Sequence, residues 1–411
     1  MLEQLRIEGF KSFRKLELDL PRLTVLFGPN AAGKSNILDA VQALSRIGTS
    51  RTLVEALRSP IRGYPVESFT FPAAGLPGLL ALDSAQFTLG ADLKIGRDLY
   101  RYRVGVSILP ISGTLTIADE YLTSLNQKRE PRGNADIEVA GDKLSIRRRS
   151  KPGRPRKENL GQNYAVLSDP RLGAPEYRAL ERVRGELSGW RTYYLDPRVA
   201  MREARSPVEV SDIGVLGEDI APFLYRLRAD KPKHFDAVRR TLRSLVPSVE
   251  DVIVDLDKRR GTLDVLVRQD GIDFSSRIVS EGTLRVLALS AIAANPWKGS
   301  LLAFEEPENG VHPRRLELIA KLLVSLALQE GQQVIVTTHS PLFCEAVLHQ
   351  SRSNSDLVAL LRVRKTRAAT EASVFRVTGP LFSDVEISEG LTSKSEDGRF
   401  EALLLRGFLD A

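Results

Sequence analysis

The chain has 411 residues, 42% of them hydrophobic and 27% charged, the composition of a soluble globular protein long enough for two or three domains or one large domain with insertions. Its 59 Lys and Arg exceed its 52 Asp and Glu, giving a net charge of +7 and a pI near 9.4, a balance that favours polyanionic partners. One cysteine, Cys344, excludes an intrachain disulfide framework or a multi-cysteine zinc cluster, and the four histidines show no paired metal spacing. No apolar run approaches a membrane span, and the first residues hold no apolar signal core, so a cytoplasmic protein without a membrane partner is expected.

Leu5 to Ile7, Leu16 to Leu20 and Leu23 to Phe27 read as three short strands. They lead into Gly28 to Asn36, GPNAAGKSN, which is followed by a helix-period segment through Ile37, Leu38, Val41, Leu44 and Ile47. The stretch fits G-x-x-x-x-G-K-[ST], in which backbone N–H groups and a helix N-terminus cradle phosphates. Gly28 and Gly33 supply the turn, Lys34 the charge for the outer phosphates and Ser35 a ligand for Mg²⁺; Asn30 and Asn36 complete the expected nucleotide-binding positions.

From Arg51 to Leu80 the chain is rich in Pro and Gly and reads as irregular connection. Strand-like runs follow at Gln86 to Leu89, Tyr100 to Ile108 and Leu115 to Ile117. Lys143 to Lys157 then concentrates Lys and Arg without an acid around Pro152, Gly153 and Pro155. Such a run is either a solvated hairpin tip or a polyanion contact, and its Gly-Arg-Pro core resembles short hooks that insert Arg into the DNA minor groove. Pro175 to Leu187, Ile220 to Arg228 and Phe235 to Leu245 look helical but are too interrupted for long heptad arms. Val252 to Leu256 and Leu263 to Val267 read as a hairpin, whose Asp255 and Asp257 fit surface alternation.

Ser280-Glu281-Gly282-Thr283-Leu284-Arg285 opens an apolar helix reaching about Ala294, with Ser280 placed as an N-cap. About twenty residues later, Leu301 to Asn309 ends an apolar strand in two adjacent carboxylates, Glu305 and Glu306, a costly arrangement unless a cation or a reaction uses them. A helix from Pro313 to Leu328 and a strand at Val334 to Val336 complete a βαβ unit that ends in Thr337-Thr338-His339-Ser340-Pro341. His339 thereby falls at the C-terminal edge of a parallel strand, where open α/β sheets bind ligands. Strands at Leu357 to Val363 and Ser373 to Val377 precede a mixed tail.

The order of phosphate loop, SEGTLR, EEPENGVHP and TTHSP, together with the opening IEGFKSF, resembles the ATP-binding-cassette ATPases over nearly the whole chain. The nearest likeness is the stand-alone prokaryotic branch similar to RecF, OLD-type nucleases and structural-maintenance-of-chromosomes proteins, without a nuclease domain. This resemblance implies an α/β P-loop NTPase fold: an ATP-binding-cassette head with an antiparallel β lobe, a mixed, mainly parallel sheet and a small helical insertion. The expected divisions are 1–145 (phosphate loop and β lobe), 146–247 (basic tip and helical insertion), 248–345 (signature, double carboxylate and switch histidine) and 346–411 (strands and tail).

The resemblance further implies ATP and Mg²⁺ as cofactors. Ser35 and Glu305 would hold Mg²⁺ with Gln86 as the metal- and water-touching glutamine, Glu306 would polarise the attacking water, and His339 would contact the γ-phosphate. Lys11 and Ser12 become candidates for base or ribose contacts, and Ser280 and Gly282 would reach the nucleotide of a second copy of the chain. Glu305 stands where the wider superfamily has Asp, and SEGT where many relatives have SGGQ. Two roles stay open: an ATP-dependent homodimeric clamp or switch on DNA, in repair or defence, and a regulatory ATPase acting on a separately encoded effector protein.

Overall fold

The computed structural model describes residues 1–58, 61–148, 154–366 and 369–375. Two compact units are each assembled from separated segments: the first from Met1–Pro21, Gly28–Trp190 and Arg362–Ser373, the second from Arg22–Phe27, Arg191–Leu361 and the described residues from Val374 onward.

In the first unit, β1 (Leu2–Phe10) pairs antiparallel with β2 (Phe13–Asp19). On β2, Leu16 and Leu18 are buried while Lys15, Glu17 and Asp19 face solvent, the two-residue period of a strand with one wet face. After β3 (Leu23–Phe27), which belongs to the second unit, α1 (Lys34–Ile47) follows the phosphate loop. The segment expected to be irregular contains α2 (Leu53–Leu57) and α3 (Gly75–Leu80). At five and six residues, neither helix is long enough to display a 3.6-residue period in the sequence.

The strands β4 (Ala85–Ile95), β5 (Asp98–Leu109), β6 (Thr114–Leu125), β7 (Ile137–Ala140), β8 (Lys143–Ile146) and β9 (Arg156–Asn159) extend the first pair into an eight-stranded sheet of order β2-β1-β4-β5-β6-β7-β8-β9. Every neighbouring pair in it is antiparallel. The basic run forms the β8–β9 hairpin, with Ile146 opposite Arg156; its centre, residues 149–153, lies outside the described residues. Its flanking arginines find acids elsewhere: Arg147 on Glu138 at 2.5 Å, Arg148 on Glu176 at 3.3 Å, and Arg156 on Glu158 at 2.5 Å. Last in this stretch is α4 (Arg178–Ser188), whose Leu187 carbonyl accepts from Ser45 of α1.

The second unit continues with β10 (Trp190–Tyr193), α5 (Ile220–Asp230) and α6 (Pro232–Leu245). Pro232 starts α6 where a missing N–H is harmless, and Phe235, Val238, Leu242 and Leu245 make its buried stripe. A three-stranded antiparallel sheet follows, β11 (Asp251–Asp257), β12 (Thr262–Gln269) and β13 (Ile272–Ser275). Next come α7 (Glu281–Ala293), β14 (Leu301–Glu305), α8 (Leu316–Leu328), β15 (Gln333–Thr338) and α9 (Pro341–Gln350), then β16 (Val358–Lys365) and β17 (Thr370–Phe375), whose stretch Arg362–Ser373 belongs to the first unit.

The second large sheet has the order β10-β14-β15-β3-β16-β17, with β14, β15 and β3 parallel. β3 and β15 are buried at every position and, apart from Gln333 at the start of β15, read as apolar or small runs, as central parallel strands do. Ten consecutive residues of α7 are buried, so this helix is enclosed rather than amphipathic. Its Leu287 and Ile292 share one core with Phe304 of β14, Val336 of β15, Phe223 of α5 and Leu242 of α6. Cys344 of α9 is fully buried in the same core. Among the described residues no helix is long and apolar enough to cross a membrane.

One ion cluster ties the antiparallel sheet together. Asp92 of β4, 1% exposed, receives two hydrogen bonds from Arg6 of β1 and two from Arg101 of β5, at 2.7–3.0 Å. Burial alone would push this carboxyl up, but the hydrogen bonds and charges of Arg101 and Arg6 hold it below the usual range. Its contribution is therefore present above the ordinary carboxylate pKa and lost as pH falls through the lowered one. Asp92→Ala should reduce the free energy of urea unfolding at pH 7 by about 3 kcal/mol, because two guanidinium groups lose a buried partner, and the deficit should shrink in acid.

Candidate functional site

The phosphate loop lies in the first unit and takes its shape from left-handed backbone at three positions: Gly28 at φ 149°, Ala31 at 63° and Gly33 at 101°. At Gly28 the requirement is steric as well, since a Cβ would sit 2.1 Å from the Val363 carbonyl oxygen of β16. Lys34, 5% exposed, bends back so that its Nζ donates to the carbonyls of Gly28 and Pro29 at 2.8 and 2.9 Å. Gly33 is the N-cap of α1 and no side chain caps that end, so the helix begins at the loop without a side-chain acceptor on its first turn. Asn30 is exposed on the loop, and Asn36 donates from Nδ2 to Ser12 Oγ at 2.9 Å. Loop and helix start together present a positive, donor-rich concavity, the chemistry that binds phosphate.

Beside the loop opens a cleft of about 520 Å³ whose lining includes Lys11, Ser12, Asn36, Arg62, Thr366 and Thr370. Lys11 lines it, but its Nζ is held by the fully buried Asp39 at 2.5 Å and by the Arg62 carbonyl at 2.9 Å. Arg62 also pairs with Asp39, at 3.0 Å. The positive φ of Lys11, 49°, belongs to the tight β1–β2 turn that brings this lysine and Ser12 to the loop. Gln86 is exposed on β4, its Nε2 lying over Gly105 of β5.

The acidic end lies in the second unit. β14 stops at Glu305, opposite Thr337 of β15, and Glu306 then turns into the left-handed region at φ 43°, strained for a residue with a Cβ. The Glu306 N–H donates to the Thr337 carbonyl at 3.0 Å, and its Oε1 lies 2.9 Å from His339 Nδ1. His339 is about half exposed, while Glu306 is three-quarters covered. A carboxylate oriented by an imidazole at the mouth of a parallel sheet is equipped to align and polarise a water molecule.

The signature segment is built onto the same acidic loop. Ser280 caps α7, its Oγ accepting from the Thr283 N–H at 3.2 Å and donating to Thr283 Oγ1 at 2.8 Å. Gly282 packs so tightly that a Cβ would come within 2.6 Å of the Gly310 carbonyl, which accounts for glycine there on packing grounds. Arg285, 8% exposed, reaches the Glu306 carbonyl at 3.4 Å, and Arg198 pairs with Glu281 at 3.0 Å. The Arg202 guanidinium gathers the carbonyls of Pro197, Ser276, Arg277 and Val279 at 2.5–2.8 Å, fixing the backbone that enters Ser280.

Sequence reasoning passed over Arg202, Arg285 and Glu308. Arg285 lies within the SEGTLR motif, where no role was assigned to it, and Arg202 carries little local signal because three of its four carbonyl partners lie more than seventy residues away. Glu308, 5% exposed, accepts a hydrogen bond from Thr338 Oγ1. Burial pushes its carboxyl up to about 7, the Thr338 hydroxyl pulls it down, and neighbouring Glu306 adds to the rise. A raised carboxyl binds its proton more tightly folded than unfolded, so stability is greatest below the ordinary value of 4.5 and declines as pH rises towards about 7. Glu308→Gln, which keeps the acceptor for Thr338, should flatten that decline: relative to wild type the variant should gain up to about 3 kcal/mol between pH 4.5 and 7.5, measured by denaturant unfolding across the range.

A family model described as "AAA domain, putative AbiEii toxin, Type IV TA system" matches residues 23–345. Over 41 residues the chain is 54% identical to the Chromosome partition protein Smc of Methanocaldococcus jannaschii, a stretch that is 10% of this chain and 4% of that protein. Over 45 residues it is 47% identical to the DNA replication and repair protein RecF of Moorella thermoacetica, covering 11% of this chain and 12% of that one. Both matched stretches are thus small parts of the curated relatives. In fold the chain is similar to the Smc head domain with an extended coiled coil from Pyrococcus furiosus, at a TM-score of 0.52 and 13% identity over 95% of this chain and 99% of that one. The family model spans well over half of the chain, and the chain therefore belongs to this AAA-domain family.

Proposed function

We propose that the chain is an ATP-gated switch in which the phosphate loop of one copy and the signature segment of a second copy close on the same nucleotide. The observation that carries this reading is the pairing of His339 Nδ1 with Glu306 Oε1 at 2.9 Å on a carboxylate held at positive φ. That preset geometry suits a step in which Glu306 orients and polarises the attacking water and His339 meets the γ-phosphate. Phosphoryl transfer asks for little beyond such positioning and charge. Lys34 would exchange its two loop carbonyls for the outer phosphate oxygens, with Gly28, Asn30, Gly33, Ser35 and Asn36 around the rest.

Ser35 and Glu305 offer hard oxygen donors of the kind Mg²⁺ takes. Mg²⁺ is commonly held by one or two protein oxygens together with substrate phosphates rather than in an all-protein cage. When bound, Mg²⁺ would neutralise charge on the phosphates.

The net charge of +7 and the basic hairpin support DNA as the surface on which the switch works, in repair or in defence, and the family description, which speaks of a toxin–antitoxin system, is compatible with the latter. A second reading, regulation of a separately encoded effector protein, is favoured by the acid partners of Arg147, Arg148 and Arg156, which reduce the charge left for phosphates. The Pyrococcus furiosus Smc head, bound to the C-terminal domain of ScpA, offers a precedent for a protein partner.

Lys34→Ala should lose ATP binding by calorimetry, and wild-type affinity in that variant would reject the loop as the nucleotide site. Glu306→Gln should bind ATP, lose at least about a hundredfold in hydrolysis, and accumulate as an ATP-bound dimer in light scattering; a monomer at saturating ATP and Mg²⁺ would reject the shared site. If DNA is the partner, added duplex should raise the ATPase rate with a steep salt dependence. A rate indifferent to DNA at low salt points to the effector reading.

A further inference from the structure

The β16–β17 hairpin enters the phosphate loop from a part of the chain in which the sequence shows no motif. Val363 of β16 presses its carbonyl against Gly28, and Thr370 of β17 presses against Gly33. A Cβ on Gly33 would lie 2.9 Å from Thr370 Cγ2 and 3.0 Å from both Thr370 Oγ1 and Ser12 Oγ. The backbone of Thr370 also leans on this turn, its N–H donating to the Ser12 carbonyl at 3.4 Å.

Thr370 is 1% exposed, and its Oγ1 finds no hydrogen-bond partner among the described residues. A buried hydroxyl in that state costs about 1–3 kcal/mol of desolvation with nothing in return. The same residue lines the 520 Å³ cleft with Ser12 and Asn36. That volume is far larger than a phosphate group needs and lies in the range of small-molecule sites. Within a loop of this pattern Lys34 and Ser35 serve the outer phosphates and the metal. The Ser12, Asn36 and Thr370 cluster is therefore left to the inner part of the ligand.

Resting on the nucleotide-site reading above, we propose that Thr370 is a nucleotide-contacting residue whose hydroxyl, with that of Ser12, hydrogen-bonds the sugar and α-phosphate segment of a bound nucleoside 5′-triphosphate, so that the β16–β17 hairpin forms a wall of the pocket. The orphaned hydroxyl gains its partner only when ligand is present. Its cost in the free protein and its benefit in the complex are opposite in sign, and that difference separates a ligand contact from a packing role.

The test uses full-length Thr370→Val and Thr370→Ser, with the dissociation constants of ADP and of a non-hydrolysable ATP analogue measured by calorimetry and the melting temperature measured without nucleotide. Thr370→Val should weaken both nucleotides by the same factor, about tenfold for one lost hydrogen bond to an anionic ligand. Its ligand-free melting temperature should equal or exceed that of wild type, because valine removes the unsatisfied hydroxyl while keeping the shape. Thr370→Ser should return affinity to within about threefold. Unchanged affinity in Thr370→Val, a loss confined to the ATP analogue, or a loss accompanied by a lowered ligand-free melting temperature overturns the inference. Wild-type protein that binds neither nucleotide would instead reject the nucleotide-site reading on which it rests.

Discussion

The contact of the Val363 carbonyl with Gly28 sets the terms for the rest of the phosphate loop. At 2.1 Å from a would-be Cβ, no side chain fits, and the backbone at φ 149° is itself open only to glycine. With Gly28 pinned, the chain has a short span in which to turn through Ala31 and Gly33 before α1 begins. The loop carbonyls in that span are the ones that Lys34 gathers, so its ammonium is an internal clamp as well as a charge on offer. A donor-rich concavity that would otherwise be a floppy glycine segment is thereby pre-organised, and the entropy of ordering it is met in folding rather than in binding.

The acidic end works by a different economy of forces. Glu306 sits in strained backbone, Glu308 is buried with a raised affinity for protons, and Arg285 is buried beside them with its own basicity lowered by that burial. None of these arrangements is a stability optimum. They persist because the surrounding structure over-determines them: α7 is enclosed on all sides, Gly282 locks against Gly310, and Arg202 ties down the approach to Ser280. Strain and shifted proton affinities concentrated on a rigid frame are features that cluster at functional sites.

The sequence made legible those features whose cause is local. GPNAAGKSN could be read because glycine tolerance, a helix start and one lysine act within nine residues, and β3 and β15 because double-sided burial leaves a continuous apolar run. The antiparallel lobe and the mainly parallel sheet followed from such runs and from the resemblance their order suggests. Contacts between distant positions stayed invisible: nothing near Thr370 says that Ser12 is its neighbour, and nothing near Glu308 identifies Thr338 as its donor. β7 and β13, four residues each, and α2 and α3 were too short to carry a period. The basic hairpin shows the reverse error of local reading, for a run with no acid of its own draws Glu138 and Glu176 from outside it.

Cys344 gives this end of the molecule an unintended use. It is the chain's single thiol, wholly shielded, in a helix whose cap, Ser340, directly follows His339. A thiol must become both ionised and accessible before an alkylating reagent can take it, so in the native protein its labelling rate counts the openings of α9. Unmodified wild-type protein thus carries one reagent-addressable clock beside the histidine, and mass spectrometry of a single adduct could follow how ligands quieten or loosen that helix without any label being engineered in.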